Sequence, residues 1–171
     1  MDGITDVTGM NDYGVTGARV EVEVLVALPV EEVWRLITAV DRYGEWSPEC
    51  VYGRWLDEPV RVGSRFAAGN RFPNGLETHV TCLVTAAEPR ARFGWDVYGD
   101  EVVPFAHWEY WLRSDEEGAV VRQAFTHGPG DSGMRRDVLT GPSGAEERRE
   151  RRLDELGRNM RSTIAAMVAG R

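Results

Sequence analysis

The sequence predicts an α+β domain: a curved antiparallel sheet of about seven strands wrapped around a long C-terminal α-helix, with two short helices after the first strand. Three observations predict it. Ser143 to Ala169 repeats apolar residues at steps of three or four: Leu153, Leu156, Met160, Ile164 and Met167. That spacing puts them on one helical face. The stretch from Glu49 to His127 instead alternates apolar and polar residues in short runs broken by turn residues, the pattern of consecutive strands. Two of those breaks, Pro73-Asn74-Gly75 and Asp115-Glu116-Glu117-Gly118, read as hairpin turns, which makes the neighbouring strands antiparallel. Strands followed by one helix imply a layered arrangement, sheet against helix.

Taken in order, residues 1–18 are rich in Gly, Asp, Thr and Asn without periodicity and read as a flexible leader before a single domain over 19–171. Arg19 to Ala27 sets Val20, Val22, Val24 and Val26 against Glu21, Glu23 and Leu25, a half-buried strand. Pro29 opens a helix, where its missing N–H is tolerated, and Glu31 and Glu32 suit the first turn. Val30, Val33, Trp34, Ile37 and Val40 form its apolar stripe, and Asp41 to Pro48 reads as a second short helix and a turn. Strands follow at 49–56, 64–72, 76–86, 91–98, 104–113 and 119–127, then a Gly/Pro-rich loop over 128–142. Ser143 and Glu146 have capping-box spacing, which places the start of the long helix, and Gly170 marks its end. At ~1.5 Å per residue this helix is ~40 Å long and needs a broad apolar surface to lie on.

Composition limits the function. The chain of 171 residues is long enough for one real core, and its formal net charge of −8 argues against a nucleic-acid partner. The arginine-rich run from Arg148 to Arg152, interrupted by Glu150, reads as a solvated helix face. Every one of the 20 basic residues is arginine, which excludes Schiff-base chemistry on a lysine. Cys50 and Cys82 have no metal-ligand spacing; two free thiols without a signal peptide point to a cytoplasmic setting. No run approaches the ~20 apolar residues of a membrane span, so no membrane association is expected.

The order of elements, with particular residues, resembles the START-related helix-grip superfamily, or SRPBCC, in its polyketide cyclase/dehydratase-like branch. The residues carrying the likeness are Pro29 to Trp34 with Asp41, Glu45-Trp46-Ser47-Pro48-Glu49, Val62 to Phe66 with Gly69-Asn70-Arg71, and Ala87-Glu88-Pro89 with Arg92-Phe93. Trp108, Tyr110, Gly118 and Val121 to Phe125 complete it. The match runs over about residues 19–169. The resemblance implies a helix-grip fold with a deep apolar cavity between sheet and C-terminal helix, and a spread of roles from aromatase/cyclase to lipid carrier to chaperone assistant. The loop over 128–142 looks longer than the family's usual link, and no complete catalytic set is recognisable.

Strand alternation assigns the inward face. Phe93, Trp95 and Val97 share one side, as do Trp108, Tyr110 and Leu112, and Val121, Gln123, Phe125 and His127. Thr78, Val80, Cys82 and Val84, and Phe66, Ala68 and Asn70, complete it, while His79, His107, Glu109, Arg71 and Asp96 point outward. The inward set is aromatic with a few neutral polar groups, the chemistry of a small-molecule site. Trp46, Asn70, Thr78, Trp95, Trp108, Gln123 and Phe125 are the expected ligand-binding residues on this side, with Met160, Ile164 and Met167 as the roof. His127 is the candidate general acid or base, since imidazole titrates near neutrality. The competing reading is a histidine that caps a backbone carbonyl. Tyr110 is the second catalytic candidate, expected to hold a developing enolate together with Asn70 and Gln123.

The expected function is binding of an apolar, polyketide-like or polycyclic small molecule, and by the resemblance the leading version is an enzyme that cyclises or dehydrates a polyketide intermediate without cofactor or metal. The alternative is a non-catalytic carrier, sensor or sequestering protein for the same ligands, acting as a monomer or homodimer. A protein–protein adaptor fits less well, because the outer helix face is charged.

Overall fold

The structure is a computed structural model that describes residues 11–170. The valine alternation of the first strand forms β1 (Arg19–Val26), with Val22 and Val26 buried. Pro29 precedes α1 (Val30–Thr38), whose stripe Val30, Val33, Leu36 and Ile37 is buried. A 3-10 turn over Val40–Arg42 leads into the single turn of α2 (Tyr43–Trp46). Six strands follow: β2 (Cys50–Trp55), β3 (Arg65–Arg71), β4 (Glu77–Glu88), β5 (Arg92–Tyr98), β6 (Ala106–Asp115) and β7 (Gly118–His127). The chain ends with α3 (Gly133–Val138) and α4 (Ala145–Ala169).

All seven strands form one antiparallel sheet in the order β1-β7-β6-β5-β4-β3-β2. The hairpins follow from the sequence: Gly75 and Gly118 take positive φ (83° and 142°), a region open to glycine because it lacks a Cβ. The register slips only at Cys50/Tyr52 and Val84/Ala86, bulges that add curvature. The sheet curls so that α4 lies beside β1 on one side and reaches α2 on the other. Leu153, Leu156, Met160, Ile164 and Met167 are all buried in the core under α4. The α+β helix-grip architecture expected from the sequence is therefore present.

Four local expectations are corrected. The loop over 128–142 contains α3, started by Ser132, whose hydroxyl accepts from the Arg135 amide at 2.9 Å. The Ser143–Glu146 capping box does not form. Gly144 (φ 72°) is the N-cap of α4 without a side-chain cap bond, because Arg148 pulls the preceding turn inward through the carbonyls of Val138, Gly141 and Ser143. Arg148 to Arg152 is consequently not a solvated face throughout: Arg152 grips both oxygens of Glu49 at 2.6 and 2.9 Å, and Asn159 donates to the same carboxylate at 3.1 Å. Finally, where a leader was expected over 1–18, residues 11–18 fold onto α3 and the start of α4. Val15 is fully buried with Val138 and Ala145, and Asp12 ion-pairs Arg135 at 3.2 Å. Residues 1–10 of that leader lie outside the described residues.

Candidate functional site

The concave face of the sheet is where the expected site residues lie, and the strand register fixes how they are arranged. The row Phe66–Cys82–Val97–Ala106–His127 crosses the middle of the face. One step along β5, β6 and β7 comes Trp95–Trp108–Phe125, and one step further Phe93–Tyr110–Gln123, with Val22 of β1 next to Gln123. In the opposite direction β3 and β4 carry Ala68–Val80 and then Asn70–Thr78, where the Asn70 amide reaches the Thr78 hydroxyl at 3.4 Å.

This register joins some expected partners and separates others. Tyr110 and Gln123 are cross-strand neighbours. Asn70 sits at the other end of the face, so Tyr110, Gln123 and Asn70 do not converge on one atom of a ligand. His127 lies four residues from Gln123 along β7, ~13 Å at the usual strand rise, and does not share a reaction centre with Tyr110.

His127 itself is built in rather than presented. Its ring is 2% exposed. Nδ1 donates to the Gly128 carbonyl at 2.7 Å, which leaves Nε2 as the acceptor of the Ser132 hydroxyl at 2.6 Å. Burial, followed by the nearby Arg135 cation, lowers its pKa to about 4 against the partial relief of the Gly128 bond and Asp12. The imidazole is thus neutral at pH 7 with both nitrogens engaged, and the expectation of a general acid or base at His127 gives way to the carbonyl-capping reading. Arg135 continues the cluster, donating to the carbonyls of Gly130 and Gly128, the Thr16 hydroxyl and the Asp12 carboxylate. Burial pushes that carboxylate up, but the bonds from Thr16, Arg135 and Gly14 outweigh it and leave the pKa lowered.

The other titratable groups on the concave side are held protonated. Burial raises the Tyr43 and Tyr110 phenols and the Cys82 thiol far above their ordinary values, and Cys50 to about 11. The Tyr43 hydroxyl donates to the Ile37 carbonyl. Trp95 sits at the centre of an aromatic group, 6.0 Å from Tyr43, 5.7 Å from Phe66, 5.3 Å from Phe93 and 6.2 Å from Tyr110 between ring centroids. Trp108 packs on Phe125 at 5.0 Å. Met160, Ile164 and Met167 join the same core from α4, and Trp46 closes it near Gly170 with the Arg42 guanidinium over its ring at 4.7 Å. The face is therefore filled by its own side chains. A surface groove of about 290 Å³ lies where α4 meets the β3–β4 hairpin, lined by Glu49, Arg71, Phe72 and Asn159 among others.

On the convex face, His107 and Glu109 do point away from the core, but they are not free. The Glu109 carboxylate is buried over Gly94, takes the Arg92 Nε–H at 2.7 Å, and lies 3.8 Å from His107, whose other nitrogen meets Asp96 at 2.7 Å. Sequence alternation identified the face but not this network, since it depends on the small residue opposite Glu109. Among the described residues no group of three or more His, Cys, Asp or Glu side chains is arranged to hold a metal ion, and no helix is long and apolar enough to cross a membrane.

Several solved structures resemble this geometry. A Polyketide_cyc-like protein from Corynebacterium glutamicum, solved by NMR, is 28% identical over 89% of this chain and 90% of its own, with a TM-score of 0.60. The protein NE0264 from Nitrosomonas europaea is 16% identical over 89% of this chain and 92% of its own, with a TM-score of 0.65. The di-domain aromatase/cyclase StfQ of the steffimycin pathway aligns with 90% of this chain at 15% identity and a TM-score of 0.71; the chain spans 50% of StfQ. At such identities the last two speak for the fold alone. No curated protein matches the sequence. The family described as polyketide cyclase/dehydrase and lipid transport matches residues 17–161, from just before β1 to within α4. The chain belongs to this family, whose description supports a hydrophobic-ligand-binding or cyclase role.

Proposed function

We propose that this protein binds an apolar, polycyclic or polyketide-like small molecule between the concave face of the sheet and α4. The observation that carries the reading is the lining itself: aromatic side chains of β3, β5, β6 and β7 with neutral polar groups at Tyr110, Gln123, Asn70 and Thr78. Apolar walls with sparse orienting groups suit a hydrophobic ring system and reject a phosphate or sugar. Because the face is filled in the structure, the ligand takes the place of side chains that move aside. Met160 and Met167 on α4 are suited to this, having unbranched side chains that repack readily.

Binding without turnover is the version the geometry favours. His127 is neutral with both nitrogens hydrogen-bonded, and the Cys82 thiol is held protonated by burial, so neither is free to move a proton or attack a substrate. A cyclase on this scaffold would work by confining a folded chain, since orientation alone supplies up to ~7–11 kcal/mol in intramolecular reactions. The similarity to StfQ supports that second reading at the level of fold. Titration of the purified protein with 2-naphthol and larger hydroxylated ring systems, followed by tryptophan fluorescence, tests the proposal. Saturable quenching in the micromolar range is expected, because Trp95 and Trp108 face the site. Absence of quenching across the panel, with native mass spectra free of adducts, contradicts it.

A further inference from the structure

Among the described residues the buried polar side chains are satisfied at all but two positions. Thr38 donates to the Trp34 carbonyl, Tyr43 to Ile37, and Ser64 to Glu58; Glu109 takes Arg92; His127, Ser132 and Asp12 bond one another's neighbours around Arg135. Among the described residues only Arg122 and Gln123 leave a buried side-chain polar atom without a partner. Arg122 is on the convex side, with its guanidinium over Trp111 at 4.3 Å and Glu21 at 3.6 Å, so its charge is compensated. Gln123 is different. It is 5% exposed, it lies on the concave face among Val22, Val121 and Phe125, and its Oε1 meets no donor. The Gln123 side chain approaches the Tyr110 hydroxyl, which eases the burial-driven rise of that phenol's pKa, yet the carboxamide oxygen remains unmet.

An apolar residue would fill this strand position without leaving a buried acceptor. A carboxamide oxygen is destabilising there until a donor arrives; the valines and Phe125 beside it have none, and the Tyr110 hydroxyl, the one donor next to it, makes no hydrogen bond to this oxygen. We propose that Gln123 is the specificity-determining residue of the site, and that its ligand is one that donates a hydrogen bond from the edge of its ring system, as a phenol or enol hydroxyl does. This rests on the concave face being the ligand site. It goes further by excluding plain hydrocarbons, ethers and simple acyl chains as good ligands. Sites built around a buried hydrogen-bonding group reject analogues that lack it far more strongly than sites built on shape alone.

Three probes of nearly equal size separate the cases: 2-naphthol donates and accepts, 2-methoxynaphthalene only accepts, and 2-methylnaphthalene does neither. Dissociation constants are read by tryptophan quenching for the wild type and for Gln123→Met. The wild type is expected to bind 2-naphthol at least ~10-fold more tightly than the other two. In Gln123→Met the three should converge, through loss of 2-naphthol affinity. Equal affinities in the wild type, or a hydroxyl preference that survives in Gln123→Met, overturn the assignment while leaving the ligand site standing. Failure of all three to bind the wild type removes both. The wild-type comparison is decisive by itself if the variant does not fold.

Discussion

His127 and Gln123 point from the same strand to the same face, and the fold treats them in opposite ways. His127 is 2% exposed and Gln123 5%, so burial does not separate them. Partners do. Both nitrogens of His127 are used, by Gly128 and Ser132, and Ser132 in turn caps α3, whose Arg135 reaches back to Asp12 and Thr16 of the N-terminal segment. The Gln123 oxygen has no donor. A buried polar group with every bond made is part of the architecture, because removing a partner leaves the others unpaired. A buried polar group with a bond left over costs stability and is suited to receive something from outside. The same chemical class of residue thus serves construction at one end of β7 and recognition nearer its middle.

If the His127 cluster is architecture, breaking it should produce the largest effect in the molecule. Arg135→Ala leaves the nearly buried Asp12 carboxylate without its cation and several carbonyls without a donor. A loss of ~3–5 kcal/mol is expected in urea unfolding. A change below ~1 kcal/mol would show the cluster to be incidental.

The pH dependence is the next effect in size. The folded-state pKa of His127 is about 4, below the ordinary imidazole value of 6.5. Above 6.5 neither the folded nor the unfolded chain holds this proton. As pH falls below 6.5 the unfolded chain takes it up first, so stability declines until about pH 4, where the folded protein is protonated too. The loss over that window is roughly 3 kcal/mol. The unfolding free energy measured at pH 7, 5.5 and 4.5 checks it. His127→Asn should remove this part of the slope while leaving that due to Asp12, whose lowered pKa adds a further loss at more acid pH.

Much of the fold was legible in the sequence because its information is periodic. The valines of β1, the alternation in β5 to β7 and the stripe on α4 each repeat at the period of their element, and the sheet keeps its register except at two bulges. The inward faces followed from that alternation, and so did the adjacency of an aromatic lining to a few polar groups. Features that depend on distant pairing were not legible. α3 is six residues long, too short for a period, and exists through its Ser132 cap and its docking against Val15. The Asp12–Arg135 pair joins residues 123 apart, and Glu49 meets Arg152 at a separation of 103. Alternation also could not say that Asn70 and Gln123, both inward, stand at opposite ends of the face, since that follows from how β3 and β7 are offset across five strands.

The central claim is that Gln123 belongs to recognition and His127 to construction. One paired measurement tests it: unfolding free energy and 2-naphthol affinity, determined side by side for Gln123→Met and His127→Asn. The account predicts that Gln123→Met changes stability by less than ~1 kcal/mol, in either direction, and weakens 2-naphthol by ~10-fold or more. His127→Asn is predicted to lose ~1–3 kcal/mol and to keep its affinity. If Gln123→Met unfolds as readily as His127→Asn while binding 2-naphthol as the wild type does, the two residues do not divide the work in this way and the account is wrong.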